Sequence, residues 1–151
     1  MSDPEDYRVL TVDKFTFRVK NGLWYNRTGV WVDVNLATST ARIGLSDFRQ
    51  QSSGDIAFVD IMPTGTAVVQ GSEITNLETV KVDLEVPSPV TGSILRINAA
   101  LTDAPELINQ DPYGSGWLAE VRLAAWEADR VHLLDAAAYF EVMRAEAEAA
   151  S

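Results

Sequence analysis

The 151-residue chain contains no cysteine. That removes disulfides, thiolate metal sites and cysteine nucleophiles at one stroke. Any thiol chemistry must come from an attached group. A single histidine, His132, rules out a histidine metal cluster. No Ser-His-Asp order with a recognisable nucleophile setting is present, and no glycine-rich phosphate loop. The usual equipment of an independent enzyme is missing. No apolar run approaches the roughly 18 residues needed to cross a bilayer. Positive charge is scarce: 12 Lys and Arg face 22 Asp and Glu, a net charge of -10. With a pI of about 4.4 the chain lacks the basic patch that nucleic acid or an anionic membrane requires. Neither is expected as a partner, whereas basic surfaces of partner enzymes suit it.

Of the three lysines, Lys14 and Lys20 lie near the N-terminus, and Lys81 stands alone in the middle of the chain. It sits in Glu78-Thr79-Val80-Lys81-Val82-Asp83, between two alternating apolar runs. Gly71 lies ten residues before it and Gly92 eleven after. Alternation on both sides, with Pro87 and Pro89 following, predicts two strands meeting at a turn with Lys81 at or near its tip. A flexible cation there is exposed, and a modifying enzyme can reach its amine.

Length and a hydrophobic content of 46% predict one folded, water-soluble domain. The acidic start, Met1-Ser2-Asp3-Pro4-Glu5-Asp6, is unlike a signal or transit peptide, so a cytoplasmic location is expected. Residues 1–6 are expected to be disordered, within an N-terminal arm over 1–22 that precedes a domain over 23–151. Tyr7 to Val19 reads as one strand, ended by a turn at Asn21-Gly22. Further strands are predicted at Leu23–Tyr25, Trp31–Leu36, Thr40–Gly44, Asp55–Met62, Thr66–Val69, Ile74–Val80, Val82–Val86, Ser93–Asn98 and Trp117–Leu123. Ser46 is placed to cap a short helix that Gly54 ends. Asp103 and Glu106 suggest a capping box for a helix at Pro105–Asn109. Asp135 caps a C-terminal helix with Tyr139, Phe140, Val142 and Met143 as its buried stripe. Many short strands plus a terminal helix indicate a mainly β sandwich or barrel. Trp24, Trp31, Trp117 and Trp126 read as core or rim packing, and Asp111, Tyr113 and Gly116 as turn residues.

Several blocks together resemble one family. Glu78-Thr79-Val80-Lys81 with Ser88-Pro89-Val90-Thr91-Gly92 resembles the lipoylation segment of the glycine cleavage system H protein. Ile43–Phe48 and Gly54–Val59 look like that family's segment before the hairpin. Asn98–Leu101, Pro105–Asn109 and Asp111–Leu118 look like the segment after it. The likeness runs from about Trp24 to about Met143. It implies a lipoyl-type flattened β sandwich and barrel hybrid, with a short internal helix and a C-terminal helix. It implies lipoic acid in amide linkage on Lys81, with Glu78, Val80, Val82 and Asp83 read by the attaching enzyme. That enzyme is a lipoate-protein ligase or lipoyl transferase. The chain itself would be a carrier, not an enzyme. Biotinyl carriers are the near competitor, but they usually carry methionine on both sides of the lysine, where this chain has Val80 and Val82.

One block departs from the family. H proteins usually show Tyr-x-x-Glu-His-Glu-Trp; here Tyr25 and Trp31 remain, but Thr28, Gly29 and Val30 stand between them. The loss of polar groups points towards H-like lipoate-binding proteins of the heterodisulfide-reductase-like sulfur-oxidising system. Partners would then be that complex. The alternative is an aminomethyl carrier serving glycine decarboxylase components. A third reading is an H-like interaction module without cargo.

Overall fold

Alternation becomes extended chain along most of the molecule. The structure, a computed structural model, describes residues 6–151. Its strands are β1 (Tyr7–Val12), β2 (Phe15–Lys20), β3 (Trp24–Tyr25), β4 (Val30–Asn35), β5 (Thr40–Leu45), β6 (Ile56–Ile61), β7 (Ala67–Val68), β8 (Glu73–Thr79), β9 (Asp83–Pro87), β10 (Gly92–Ile97), β11 (Ala119–Leu123) and β12 (Leu134–Asp135). The helices are α1 (Asp47–Ser53), α2 (Ala100–Asp103), α3 (Leu107–Gln110), α4 (Trp126–Asp129) and α5 (Ala136–Ala149). The strands form a seven-stranded sheet ordered β12-β3-β4-β5-β11-β10-β7, a three-stranded sheet ordered β6-β8-β9, and the separate pair β1-β2. This is the mainly β architecture, with internal and C-terminal helices, that the sequence predicts.

Strand β4 shows why the large sheet is covered on both faces. Side chains along a strand point alternately to opposite sides. Val30 and Val32 enter the main core, which joins Ile43, Ile94 and Val121 of the large sheet to Ile56, Ile74, Leu77 and Val86 of the small one. Trp31, between them, is 2% exposed and enters a second core with Phe17, Val19, Tyr25, Phe48, Tyr139, Phe140 and Met143. A Cβ on Gly44, opposite Trp31 in β5, would meet the indole at 2.5 Å, so glycine is required there. The Tyr25 and Tyr139 rings stack at 4.5 Å and 5°. Ser46 Oγ and Tyr139 OH hydrogen-bond at 2.9 Å within this layer.

Both long caps form where the sequence places them. Ser46 Oγ accepts from Arg49 N–H at 3.2 Å, and Asp135 Oδ1 accepts from Ala138 N–H at 2.8 Å. The buried side of α5 is Ala136, Tyr139, Phe140, Met143 and Ala147, while Val142 is half-buried. Two local expectations are corrected. The capping box is not made, since no side chain caps α3; α2 ends at Asp103, so that residue closes a helix instead of opening one. The single strand over Tyr7 to Val19 is a hairpin, because Asp13 adopts a left-handed φ of 55° and turns the chain. The expected disorder falls mostly on residues 1–5, outside the described residues; the Asp6 carbonyl accepts from Asn21 N–H at 2.8 Å.

The β1-β2 pair is tied to the rest through α1, α5 and one tyrosine. Arg18 N–H donates to Asp47 Oδ2 at 2.9 Å, Gln51 Nε2 donates to Thr16 O at 2.9 Å, and Tyr113 OH donates to Arg18 O at 2.7 Å.

Candidate functional site

The lysine hairpin is β8-β9, with Glu78 opposite Asp83 in its last register pair. Thr79 closes the turn. Its N–H donates to Val82 O at 2.9 Å, and its hydroxyl donates to the same carbonyl at 3.0 Å. The same Oγ1 accepts from Lys81 N–H at 3.1 Å and from Val82 N–H at 3.0 Å. Neither Val80 nor Lys81 has a positive φ. The tip therefore needs no glycine, because one hydroxyl takes up the backbone groups that a tight turn leaves over. Sequence reasoning missed Thr79, since threonine in an alternating run reads as an ordinary strand residue.

Lys81 is exposed, Val80 is 75% exposed and Val82 53%. Glu78 and Asp83 are exposed as well. Two carboxylates directly opposite each other work slightly against pairing. Together they give the base of the tip a negative rim. Lys81 makes no ion pair among the described residues.

The stem of Lys81 lies over Gly54, whose hypothetical Cβ would stand 3.8 Å from both Cδ and Cε. Gly54 ends α1 with φ 88°, a left-handed value that glycine adopts without strain. Asn109 holds this bed in place: its amide donates to Gly54 O and to Gln50 Oε1, each at 3.0 Å, and its carbonyl accepts from Ile56 N–H at 2.9 Å. Hence α1, β6 and α3 converge beneath the lysine. Nothing in the local pattern marked Asn109, whose partners are more than fifty residues away.

The departing block lies on another flank. Thr28 and Val30 line a cleft of about 120 Å³ with Arg49, Leu84 and Glu85. Arg49 Nε donates to Thr28 O at 2.6 Å, and its guanidinium stands 3.7 Å from Glu146. Gly29 is buried beneath, with φ 88°; a Cβ there would meet Tyr139 OH at 2.8 Å and Ser46 Oγ at 2.9 Å. The aromatic layer thus excludes a larger residue at this position. Burial pushes the Tyr139 phenol up to about 12, and burial foremost pushes Tyr25 higher still. His132 lies exposed in a short 3-10 turn, and Asp111 organises its own loop, its Oδ2 accepting from Ser115 N–H at 2.8 Å.

Residues 23–146 match the family described as Glycine cleavage H-protein. The chain belongs to that family. The H protein named "Glycine cleavage system H protein" from Marinobacter nauticus is 42% identical over 128 residues, covering 85% of this chain and 97% of its own length. The "Probable glycine cleavage system H protein" of Thermococcus kodakarensis is 38% identical over 128 residues, with 85% and 94% covered. Among solved structures, the crystal structure of the glycine cleavage system H protein from Mycobacterium marinum superposes with a TM-score of 0.74 at 28% identity, covering 82% of this chain and 97% of that one. H-protein character thus belongs to the two larger sheets and the helices through most of α5, whereas β1 and β2 precede the matched span. No helix among the described residues is long and apolar enough to cross a membrane.

Proposed function

We propose that this chain is a cytoplasmic carrier holding a lipoyl group in amide linkage on Lys81, and that it passes a lipoyl-bound intermediate between enzymes. The observation that carries the reading is the exposed amine, without an ion pair among the described residues, at the tip of a turn closed by Thr79. The residues fit the group. Amide formation removes the lysine charge, and no ion pair has to be broken among the described residues. A bound lipoyl group supplies the dithiol that a chain without cysteine lacks. The protein's part is presentation: the tip projects the lysine, and tethering raises the effective concentration at each partner. Val80 and Val82 offer apolar contact to the attaching ligase or transferase, and Glu78 and Asp83 offer charge.

The names of the relatives favour the cargo of glycine cleavage, an aminomethyl group, with glycine decarboxylase components as partners. They do not favour the sulfur-oxidising role. One observation keeps that role as a second reading: the cleft beside the hairpin presents apolar Val30 and the Arg49 guanidinium. A cationic aminomethyl end meets Glu85 in the lining of that cleft, whereas an anionic sulfur species served by a heterodisulfide-reductase-like complex meets Arg49, whose guanidinium it would share with Glu146.

The test has two stages. Protein made with lipoate and a ligase gains the mass of one lipoyl group, and Lys81→Arg abolishes the gain. An unmodified wild-type chain under those conditions would leave only the interaction-module reading. The lipoylated carrier is then offered to glycine decarboxylase with glycine and, separately, to a sulfur donor system. Loading from glycine settles the cargo as aminomethyl; a sulfur adduct with no loading from glycine reverses that assignment.

A further inference from the structure

We propose that β1 is a docking edge for β1 of a second copy, the two strands running antiparallel about a two-fold axis at Leu10. The proposal does not depend on what Lys81 carries. It starts from the two outer edges of the β1-β2 hairpin, which joins neither of the larger sheets. In an antiparallel pair, residues in alternate register positions turn their N–H and C=O away from the partner strand. On β2 these include Thr16 and Arg18. Thr16 O accepts from Gln51, Arg18 N–H donates to Asp47, and Arg18 O accepts from Tyr113. Side chains of the body thus cover the outer edge of β2. Opposite Arg18 and Thr16 on β1 stand Val9 and Thr11. The Thr11 and Thr16 hydroxyls meet at 3.2 Å, as close side chains of such a pair should. The outward N–H and C=O groups of Val9 and Thr11 have no hydrogen-bond partner among the described residues.

One edge of the hairpin is therefore closed and the other open. An open row of backbone groups templates a further strand. β1 carries none of the usual deterrents. Tyr7–Val12 has no proline and a single charge, Arg8, and its register with β2 has no bulge. Val9 is 53% exposed. Charge and symmetry set the occupant. With Val9 of one copy opposite Thr11 of the other, the outward residues of both strands exchange all their hydrogen bonds. Leu10 then faces Leu10 on the axis, and Arg8 faces Val12. Just beyond the strand, Asp6 lines up with Lys14 of the second copy, and the same attraction recurs at the other end. No like charges stand opposite each other in this register, whereas a shift towards the turn sets Arg8 against Lys14. A two-fold pairing closes on itself, so assembly stops at two copies. One strand pair is a small interface, so the dimer forms only with concentration. β1 and β2 precede the family-matched span, and the edge is an addition of this chain. Each copy brings one lysine hairpin, so the pair presents two tips to a partner that has two sites.

The experiment is sedimentation equilibrium of the full-length protein from about 10 µM to about 1 mM, the range in which a weak interface fills. The mean mass should rise from 16.5 kDa towards twice that value. Over the same range, amide exchange at Val9 and Thr11 should slow about threefold or more, while Leu10, whose N–H faces β2, should not change. Val9→Pro removes an outward donor without touching the β1-β2 ladder, and should hold the chain at the mass of one copy. Val9→Lys leaves the backbone intact and should do the same, since it sets two ammonium groups diagonally across the axis, about 7 Å apart. Thermal melting checks that each variant is folded. A wild-type chain that keeps the mass of one copy at the highest concentration would overturn the proposal. So would a dimer whose Val9 and Thr11 amides exchange at the dilute rate, or one that survives Val9→Lys, because the contact would then lie elsewhere.

Discussion

The aromatic layer and the lysine hairpin are held together in opposite ways. In the layer, Trp31, Tyr25, Tyr139 and Met143 are each at most 2% exposed, and their order comes from side chains packed against side chains. At the tip, three consecutive residues are exposed, and order comes from backbone groups gathered by the Thr79 hydroxyl. The difference separates stability from presentation. The layer can hold the fold without touching a partner, and the tip can be handled by enzymes without unsettling the core.

Substitutions should break the two regions by different amounts. The largest effect is expected for Met143→Ala, since Met143 is fully buried between α5 and the large sheet. It should cost about 3 kcal/mol and lower the midpoint of thermal unfolding by several degrees. A cost below about 1 kcal/mol would show the layer to be loosely packed. The next effect is alkaline. The Tyr139 phenol is raised from 10.0 to about 12 chiefly by burial, so the folded chain keeps a proton that the unfolded chain gives up. That contribution is complete below about pH 10 and is lost as pH rises from about 10 to 12, amounting to about 2 to 3 kcal/mol. Denaturant unfolding across that range should show the loss, and Tyr139→Phe should make it shallower without abolishing it, because burial raises the Tyr25 and Tyr113 phenols as well. An equally steep profile in both proteins would exclude Tyr139 from the titration. At the hairpin the stability effects shrink. Thr79→Val should cost about 1 kcal/mol yet slow lipoylation markedly, because the turn no longer presents the amine in one conformation. Lys81→Ala should leave stability within about 0.5 kcal/mol of wild type. A loss of several kcal/mol there would make the lysine structural and dissolve the contrast.

Strand positions and the lysine tip were legible because alternation is a local signal. Ser46 and Asp135 were legible because a cap is made within three residues of itself. What escaped depends on distant partners. Asn109 gains its meaning only when α3 comes under Gly54, and Gly29 only when Tyr139 crosses above it. Asp13 turned a predicted strand into a hairpin without the glycine that usually announces such a turn. The Asp103 and Glu106 pair failed as a capping box because Glu106 is itself the helical residue before α3 and Asp103 closes α2. The altered block at Thr28, Gly29 and Val30 was visible, but its surroundings, Arg49 and the cleft, required the fold.

The order β6-β8-β9 leaves β9 as an outer strand, with one row of backbone groups facing outwards. Such a row can template pairing with another molecule, and a hairpin that must project cannot hide it. The strand carries its own deterrents. Asp83 and Glu85 are exposed, so a second copy approaching edge to edge would bring like charges together. Pro87, at the far end, offers no N–H to extend a ladder. The acidity of the hairpin therefore also discourages edge-to-edge pairing of two copies along β9.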